Sequence, residues 1–149
     1  NNKEKPVVII HRAIMGSFER FMAFILEKNC GYLPIWLTPI QVRILPLSEK
    51  FINYAQKIYQ EIKKINIEVE IDNRNDTLNK KIKEAEILHV PYIIIIGEKE
   101  EKNELISLRC PTYYKQKYKL EDGEMSLEKF ISIFSKLSKN IAYCYESKT

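Results

Sequence analysis

The sequence predicts an α/β fold with a mixed, mostly parallel sheet flanked by helices. The first observation is a succession of apolar patterns between Pro39 and Gly97 that alternates strand-like and helix-like periods, as in a β-α-β-α-β unit. Right-handed crossovers would lay its three strands side by side. The second is a globular composition, with 45% apolar and 30% charged residues in 149. The third is that the longest apolar run, Val90 to Ile96, is far shorter than the roughly 18 residues of a membrane-spanning helix.

The first 36 residues are predicted to form one strand and one helix. The strand covers Pro6 to His11, and Ser17 is placed to cap the helix that follows. Gly31 suits the C-terminal end of that helix. Apolar residues recur along one helix face at Phe18, Phe21, Met22, Ile25 and Leu26. We predict a domain boundary near Trp36, with one domain over residues 1–36 and a second over residues 37–149.

Three strands and two helices are predicted next. The strands are Pro39 to Ile44, Ile67 to Ile71, and the apolar run Tyr92 to Ile96, which suits a central strand covered on both faces. Helical spacing is carried by Phe51, Ala55, Ile58, Ile62 and Ile65 in the first helix and by Leu78, Ile82 and Ala85 in the second. Asp76 or Thr77 is the predicted cap of the second helix.

The last third of the sequence has weaker patterns. Leu105 to Arg109 alternates and predicts a fourth strand, whereas Tyr113 to Leu120 fits either a fifth strand or a loop. Met125 to Ile141 predicts a final helix with Ser126 as its cap.

Charge and cysteine content restrict the classes of function. The 24 basic and 20 acidic residues leave a net charge of +4, so nucleic-acid binding would depend on a local patch rather than on overall attraction. Cys30, Cys110 and Cys144 form no CxxC pair, which favours buried packing in a reducing cytoplasm over disulfides or a cysteine zinc site. No secretion signal is visible, and the sequence reads as a piece of something longer.

Polar residues follow the strands where an open α/β sheet binds its ligands. These segments are Pro46 to Ser48, Asp72 to Asp76, and Gly97 to Glu100. The side chains of the second segment could form hydrogen bonds along the edge of a planar ligand such as a nucleobase. From the pattern alone, however, a solvated turn with Asx capping is favoured. No glycine-rich phosphate loop follows the first strand, which argues against a dinucleotide or flavodoxin-like site.

Other candidate residues remain open from spacing alone. His11 is one imidazole, whereas zinc needs three or four ligands, so this chain by itself should not hold the metal. Arg20, beside Glu19, fits an exposed ion pair better than a phosphate contact. The stretch from Tyr113 to Lys119 interleaves aromatic and basic residues, which suits either base stacking with phosphate neutralisation or a plain amphipathic strand. No Ser-His-Asp or Cys-His constellation can be assembled.

Two segments of the sequence carry a resemblance to a known family. His11 to Phe21 resembles motif 3 of class II aminoacyl-tRNA synthetases in the form used by the threonyl-tRNA synthetase family, and Trp36 to Val42 resembles that family's junction with its anticodon-binding domain. Arg74-Asn75 and Val90-Pro91-Tyr92 also occur at the expected positions, so the likeness runs from about Pro6 to Arg109. Prolyl, glycyl and histidyl enzymes share the domain type but not the motif 3 string.

The resemblance implies roles for two residues of the first domain. The position matching Arg20 contacts ATP, and the position matching His11 is a zinc ligand whose partner ligands lie outside this chain. In the family, zinc binds the amino and hydroxyl groups of threonine. Motifs 1 and 2 are absent, so the fragment is expected to be inactive and to bind no cofactor, while the full-length parent would use zinc, ATP and Mg²⁺ to charge threonine tRNA.

For the second domain, the resemblance implies anticodon reading by the positions matching Asn75, Glu100 and Arg109. The bases would be the second and third of the anticodon, guanine and uracil, in the stem-loop of threonine tRNA. The parent would be a cytoplasmic homodimer and this fragment a monomer. A rival interpretation is a non-catalytic interaction module with the same fold, disfavoured because both His11 and Arg20 are present. After Arg109 the chain departs from the family with Cys110-Pro111-Thr112 and the Tyr/Lys-rich stretch.

Overall fold

A computed structural model describes residues 6–118 and 122–135. The chain divides into two compact units, one ending at Tyr32 and the other beginning at Leu33. The functional division into residues 1–36 and 37–149 stays a prediction. In the described part of the chain, no helix is both long enough and apolar enough to cross a membrane.

The first unit contains the predicted helix but not the predicted strand. Helix α1 (Phe18–Lys28) is capped as expected, since Ser17 Oγ accepts a hydrogen bond from the Arg20 N–H at 3.3 Å. Residues 6–11 form no strand in this structure, and the strand expected there stays a prediction. A strand requires a hydrogen-bonded neighbour, and none pairs with these residues in the part of the chain that the structure describes. Their apolar side chains are exposed, at 82–88% for residues 7–10.

The second unit is built around a five-stranded mixed sheet in the order β2-β1-β3-β4-β5. Strands β1 (Val42–Pro46), β2 (Val69–Ile71) and β3 (Tyr92–Ile96) are parallel, whereas β4 (Leu105–Arg109) and β5 (Gly123–Ser126) continue the sheet in antiparallel pairing. The bounds of β3 and β4 are those predicted from the sequence. The mixed sheet with flanking helices is confirmed, and its parallel and antiparallel pairings number two each.

Helices α2 (Ile52–Lys63) and α3 (Leu78–Ile87) follow β1 and β2 as predicted. On one face of the sheet, Leu45 and Ile93 pack with Ile82 and Ala85 of α3. Side chains alternate between the faces of a strand, so Tyr92 points to the opposite face, where its ring meets Phe130 with centroids 5.3 Å apart. Helices therefore cover both faces of the central strands.

Three other parts of this unit differ from the prediction. Glu98–Asn103, for which the sequence predicted no helix, forms the short helix α4. Thr112–Tyr118, expected to be a strand or loop, forms helix α5, because Tyr114 turns inward and is fully buried. Met125 lies in β5, and the last helix, α6, begins at residue 127 and continues to 135; the rest of its predicted range, like Cys144, lies outside the described residues. Ser126 is its cap, with Oγ accepting from the Lys129 N–H at 3.3 Å.

The two described cysteines differ in environment. Cys110 is buried, as predicted, and burial raises the pKa of its thiol to about 12. Cys30 is exposed beyond the end of α1, so the expectation of buried packing was wrong for it. The cause is that α1 has no buried residue in the described structure, so Cys30, which directly follows the Asn29 cap, does not reach a buried core.

Candidate functional site

A small cleft lies at the carboxyl ends of β1 and β2. Two of the three predicted segments meet there, the one after β1 and the one after β2. The cleft has a volume of about 50 Å³ and is lined by Pro46, Leu47, Ser48, Glu49, Ile52, Asn73, Arg74, Asn75, Asp76 and Lys81. Sites that enclose a small molecule are usually several hundred Å³. This cleft is therefore suited to the edge of a planar group and not to its complete enclosure.

Arg74 holds the loop between β2 and α3 in place. Its Nε donates to Asp72 Oδ1 at 2.9 Å and its terminal nitrogen donates to Asp72 Oδ2 at 2.6 Å, while Glu84 lies 2.5 Å from the same terminal nitrogen. The hydrogen bonds from the guanidinium lower the pKa of the buried Asp72 carboxyl. Since its donors face protein carboxylates, Arg74 acts as a clamp for the loop.

Lys81 also holds the loop between β2 and α3. Its side chain is buried, and Nζ donates to the backbone oxygen of Asp72 at 3.1 Å. Sequence reasoning assigned no role to Lys81 or to the contact between Arg74 and Glu84. The only available signal was the helical spacing of α3, which places residues 81 and 84 one turn apart without showing that they face this loop.

Asn75 follows the clamped Arg74 and is exposed on the rim of the cleft. Its amide makes no hydrogen bond to residues in the described ranges. The next residue, Asp76, is engaged by Lys80 at 2.8 Å, and this contact lowers the pKa of Asp76. Asn75 is thus an exposed donor and acceptor between two residues that are held by ion pairs.

Glu100 lies at the same edge of the sheet, in the first turn of α4. Its Oε2 accepts a hydrogen bond from the Gly97 N–H at 2.9 Å. A Cβ at Gly97 would lie 2.5 Å from Cδ1 of Leu47 and 3.0 Å from this oxygen. The absence of a side chain at Gly97 therefore permits the close packing of Leu47 and the present position of the carboxylate.

Arg109 lies at the opposite edge. It pairs with Ile93 in the β3–β4 register, near the start of β3. Its terminal nitrogen donates to Glu86 Oε1 at 3.1 Å, and its side chain is half exposed. At about 3.3 Å of rise per residue, residues 93–96 of β3 alone separate the two edges by roughly 10 Å. The structure brings Asn75 and Glu100 to one edge of the sheet and leaves Arg109 at the other.

His11 and Arg20 belong to the first unit, and both are exposed. Within residues 6–118 and 122–135, no group of three His, Cys, Asp or Glu side chains is arranged to hold a metal ion. His11 is a single donor there, so the described residues do not form a zinc site by themselves.

Comparison with known proteins gives consistent results. Residues 41–137 match the family model described as "Anticodon binding domain". The chain is 44% identical over 147 residues to a threonine–tRNA ligase from Nanoarchaeum equitans, covering 96% of this chain and 22% of that protein. It is 37% identical over 140 residues to a threonine–tRNA ligase from Sulfurihydrogenibium sp., covering 94% of this chain and 21% of that protein. The chain thus spans about a fifth of the length of these curated relatives.

Two solved structures resemble this chain to different degrees. The RNA-binding domain of threonyl-tRNA synthetase from Cryptosporidium parvum superposes with a TM-score of 0.73 at 35% identity, covering 83% of this chain and 30% of that one. Prolyl-tRNA synthetase from the same organism superposes with a TM-score of 0.61 at 17% identity, covering 78% of this chain and 25% of that one. The second likeness shows a shared fold alone.

Proposed function

The chain belongs to the anticodon-binding-domain family, in the form carried by threonyl-tRNA synthetases, and from this premise we propose that it binds and reads the anticodon stem-loop of threonine tRNA. The observation that carries the proposal is the joint display of Asn75 and Glu100 at the carboxyl edge of the sheet. Both are polar side chains at the edge where open α/β sheets bind ligands.

The chemistry of these side chains suits unpaired bases. Bases of a single-stranded loop can be splayed out and read along their edges. The amide of Asn75 offers a donor and an acceptor, and the carboxylate of Glu100 can accept from guanine N–H groups. Arg109 has donors suited to guanine O6 and N7. Because Arg109 lies at the other edge, the RNA loop would extend across the sheet to reach it.

The activity of the whole parent forms part of the proposal. As a threonine–tRNA ligase, it would activate threonine with ATP in the cytoplasm and charge threonine tRNA as a homodimer. Arg20 presents an exposed guanidinium able to contact a triphosphate. His11 would need zinc ligands from outside this chain, so no step is derived through zinc. The fragment, which lacks motifs 1 and 2, is expected to be inactive by itself and monomeric.

The test measures affinity for the threonine anticodon stem-loop and for a loop whose second base is changed. We expect preference for the cognate loop. Asn75→Ala should reduce this preference by about 5- to 150-fold, the range that corresponds to 1–3 kcal/mol for a base contact. Gln60→Ala, on an exposed position near the C-terminal end of α2, removes the same kind of amide as a control and should leave the preference unchanged. Equal, weak and salt-sensitive binding of both loops would contradict the proposal.

A further inference from the structure

Helix α5 is the part of the second unit that the proposed anticodon contacts leave unexplained. It begins at Thr112, three residues after Arg109. The phenolic O–H of its buried Tyr114 is shared between the backbone oxygens of Leu33, 2.9 Å from the Tyr114 oxygen, and of His89, 3.2 Å from it. These bonds anchor the helix at the edge of the sheet where β3 begins, which is also the edge that presents Arg109.

The outer side of α5 combines one ammonium group with two aromatic rings. Lys117 Nζ donates to the hydroxyl of Tyr113 at 3.0 Å and lies 5.2 Å from the centroid of that ring. It also lies 5.7 Å from the ring centroid of Tyr118, which stacks on the buried Tyr114. Tyr113 and Tyr118 are partly exposed and Lys117 is exposed. The ammonium is therefore held at the surface by rings that are themselves packed on the domain.

The surrounding charges favour an anionic partner. Of the charged residues named here, Arg109, Lys115 and Lys117 supply three positive charges and Glu86 and Asp122 supply two negative ones, with Lys115 2.5 Å from Asp122 and Arg109 3.1 Å from Glu86. Lys117 has contacts of its own, among them the Tyr113 hydroxyl. Proteins that bind single-stranded nucleic acid combine such cations with aromatic rings, and the continuity with Arg109 places α5 beside a proposed RNA contact.

We propose that the outer side of α5, formed by Tyr113, Lys117 and Tyr118, is a second RNA-binding surface that contacts the sugar–phosphate backbone of the anticodon stem-loop. Lys117 contacts a phosphate and reads no base. The inference rests on the proposed function and extends it, because it adds a backbone contact beside Arg109 and leaves base discrimination to Asn75, Glu100 and Arg109.

The test compares Lys117→Gln with the unmodified chain in binding to the cognate and base-changed stem-loops over a range of salt concentrations. A lost phosphate contact lowers affinity for both loops alike and reduces the slope of log affinity against log salt by about 1. The affinity advantage of the unmodified chain should shrink about threefold between roughly 50 and 200 mM salt. The ratio between the two loops should stay the same.

Three further measurements make the result specific. Lys117→Arg keeps the charge and should retain the salt slope. Lys57→Gln, which removes an exposed lysine from α2, is the matched control and should leave the slope unchanged. Thermal unfolding of each variant should match that of the unmodified chain, since both lysines are exposed.

The possible failures are distinguishable. If the unmodified chain prefers the cognate loop but Lys117→Gln leaves its affinity and salt slope unchanged, the α5 inference is wrong and the proposed function stands. An equal effect of Lys57→Gln would also overturn it, by showing a general charge effect. If Lys117→Gln changes the ratio between the loops, α5 reads bases and the assignment to backbone is wrong. If the unmodified chain binds neither loop, both proposals fail.

Discussion

At the scale of single residues, Gly97 controls the position of Glu100. Its φ is ordinary, so the requirement is space: a Cβ would lie 2.5 Å from Leu47 Cδ1. We expect Gly97→Ala to displace the Leu47 side chain and the Glu100 carboxylate, and so to weaken cognate binding. Leu47 is half exposed and can rotate away, so the free energy of unfolding should change by less than about 1 kcal/mol. Stem-loop titration and urea unfolding of the same variant check both expectations; a loss of stability with unchanged binding would contradict them.

Arg74 makes the second prediction at this scale, because it pairs with the buried Asp72 carboxylate. Arg74→Met should lower the free energy of unfolding at neutral pH by more than Lys64→Met does, since the Asp72 carboxylate then lacks its charged partner. Urea unfolding at pH 7 measures this. Lys64→Met, which removes an exposed ion pair with Glu61, is the control and should cost at most about 1 kcal/mol.

The same pair gives stability a pH dependence. The Arg74 guanidinium lowers the folded-state pKa of Asp72. The stabilisation is therefore present above the unfolded carboxyl pKa of about 3.9 and is lost as pH falls through the lower folded value. When unfolding is measured from pH 5 down to pH 2, the free energy of unfolding should fall less steeply for Arg74→Met than for the unmodified chain. Equal slopes for the two chains would mean that the Arg74–Asp72 pair does not cause the pH dependence.

At the scale of elements, α5 depends on the hydroxyl of Tyr114. Tyr114→Phe removes the donor to the Leu33 and His89 carbonyls while keeping the buried ring. We expect a loss of about 1–3 kcal/mol in the free energy of unfolding, because the two carbonyl oxygens lose the one hydroxyl donor that they share. Tyr113→Phe, one position away and partly exposed, is the matched control and should change the free energy by less than about 0.5 kcal/mol. Equal effects of the two changes would contradict the anchoring role.

At the scale of the whole molecule, the two units should differ in what they contribute to stability. The second unit contains the sheet and its buried core, whereas α1 in the first unit has no buried residue in the described structure. A chain that starts at Leu33 should therefore keep a cooperative unfolding transition. Urea unfolding of the truncated chain checks this, and a broad transition without cooperativity would contradict it.

Much of the fold was predictable because its signals are local. The apolar run of β3 and the alternation of β4 marked both strands within their observed bounds, and Ser17 and Ser126 marked the starts of helices through hydrogen bonds to nearby N–H groups. The parallel order of β1 and β2 followed from the short helical crossover between them. That order was enough to predict that polar residues after these strands would meet at one edge, and Asn75 does lie there.

The remaining features depend on contacts between residues far apart in the sequence. Alternation of Tyr and Lys after Arg109 fits a strand or a loop equally well, and only the burial of Tyr114 against Leu33 and His89 selects the helix. The role of Arg74 as a clamp for the loop requires Glu84 to approach from α3, and the spacing of residues in the sequence cannot show that approach. The antiparallel return of β4 likewise places Arg109 at the opposite edge from Asn75. The sequence by itself determined β1 to β4, α1 to α3 and the edge that carries Asn75 and Glu100, because these depend on local periodicity and chain direction. Only the tertiary structure decided which side chains are held in place and which edge each one reaches, because packing and strand register join distant segments.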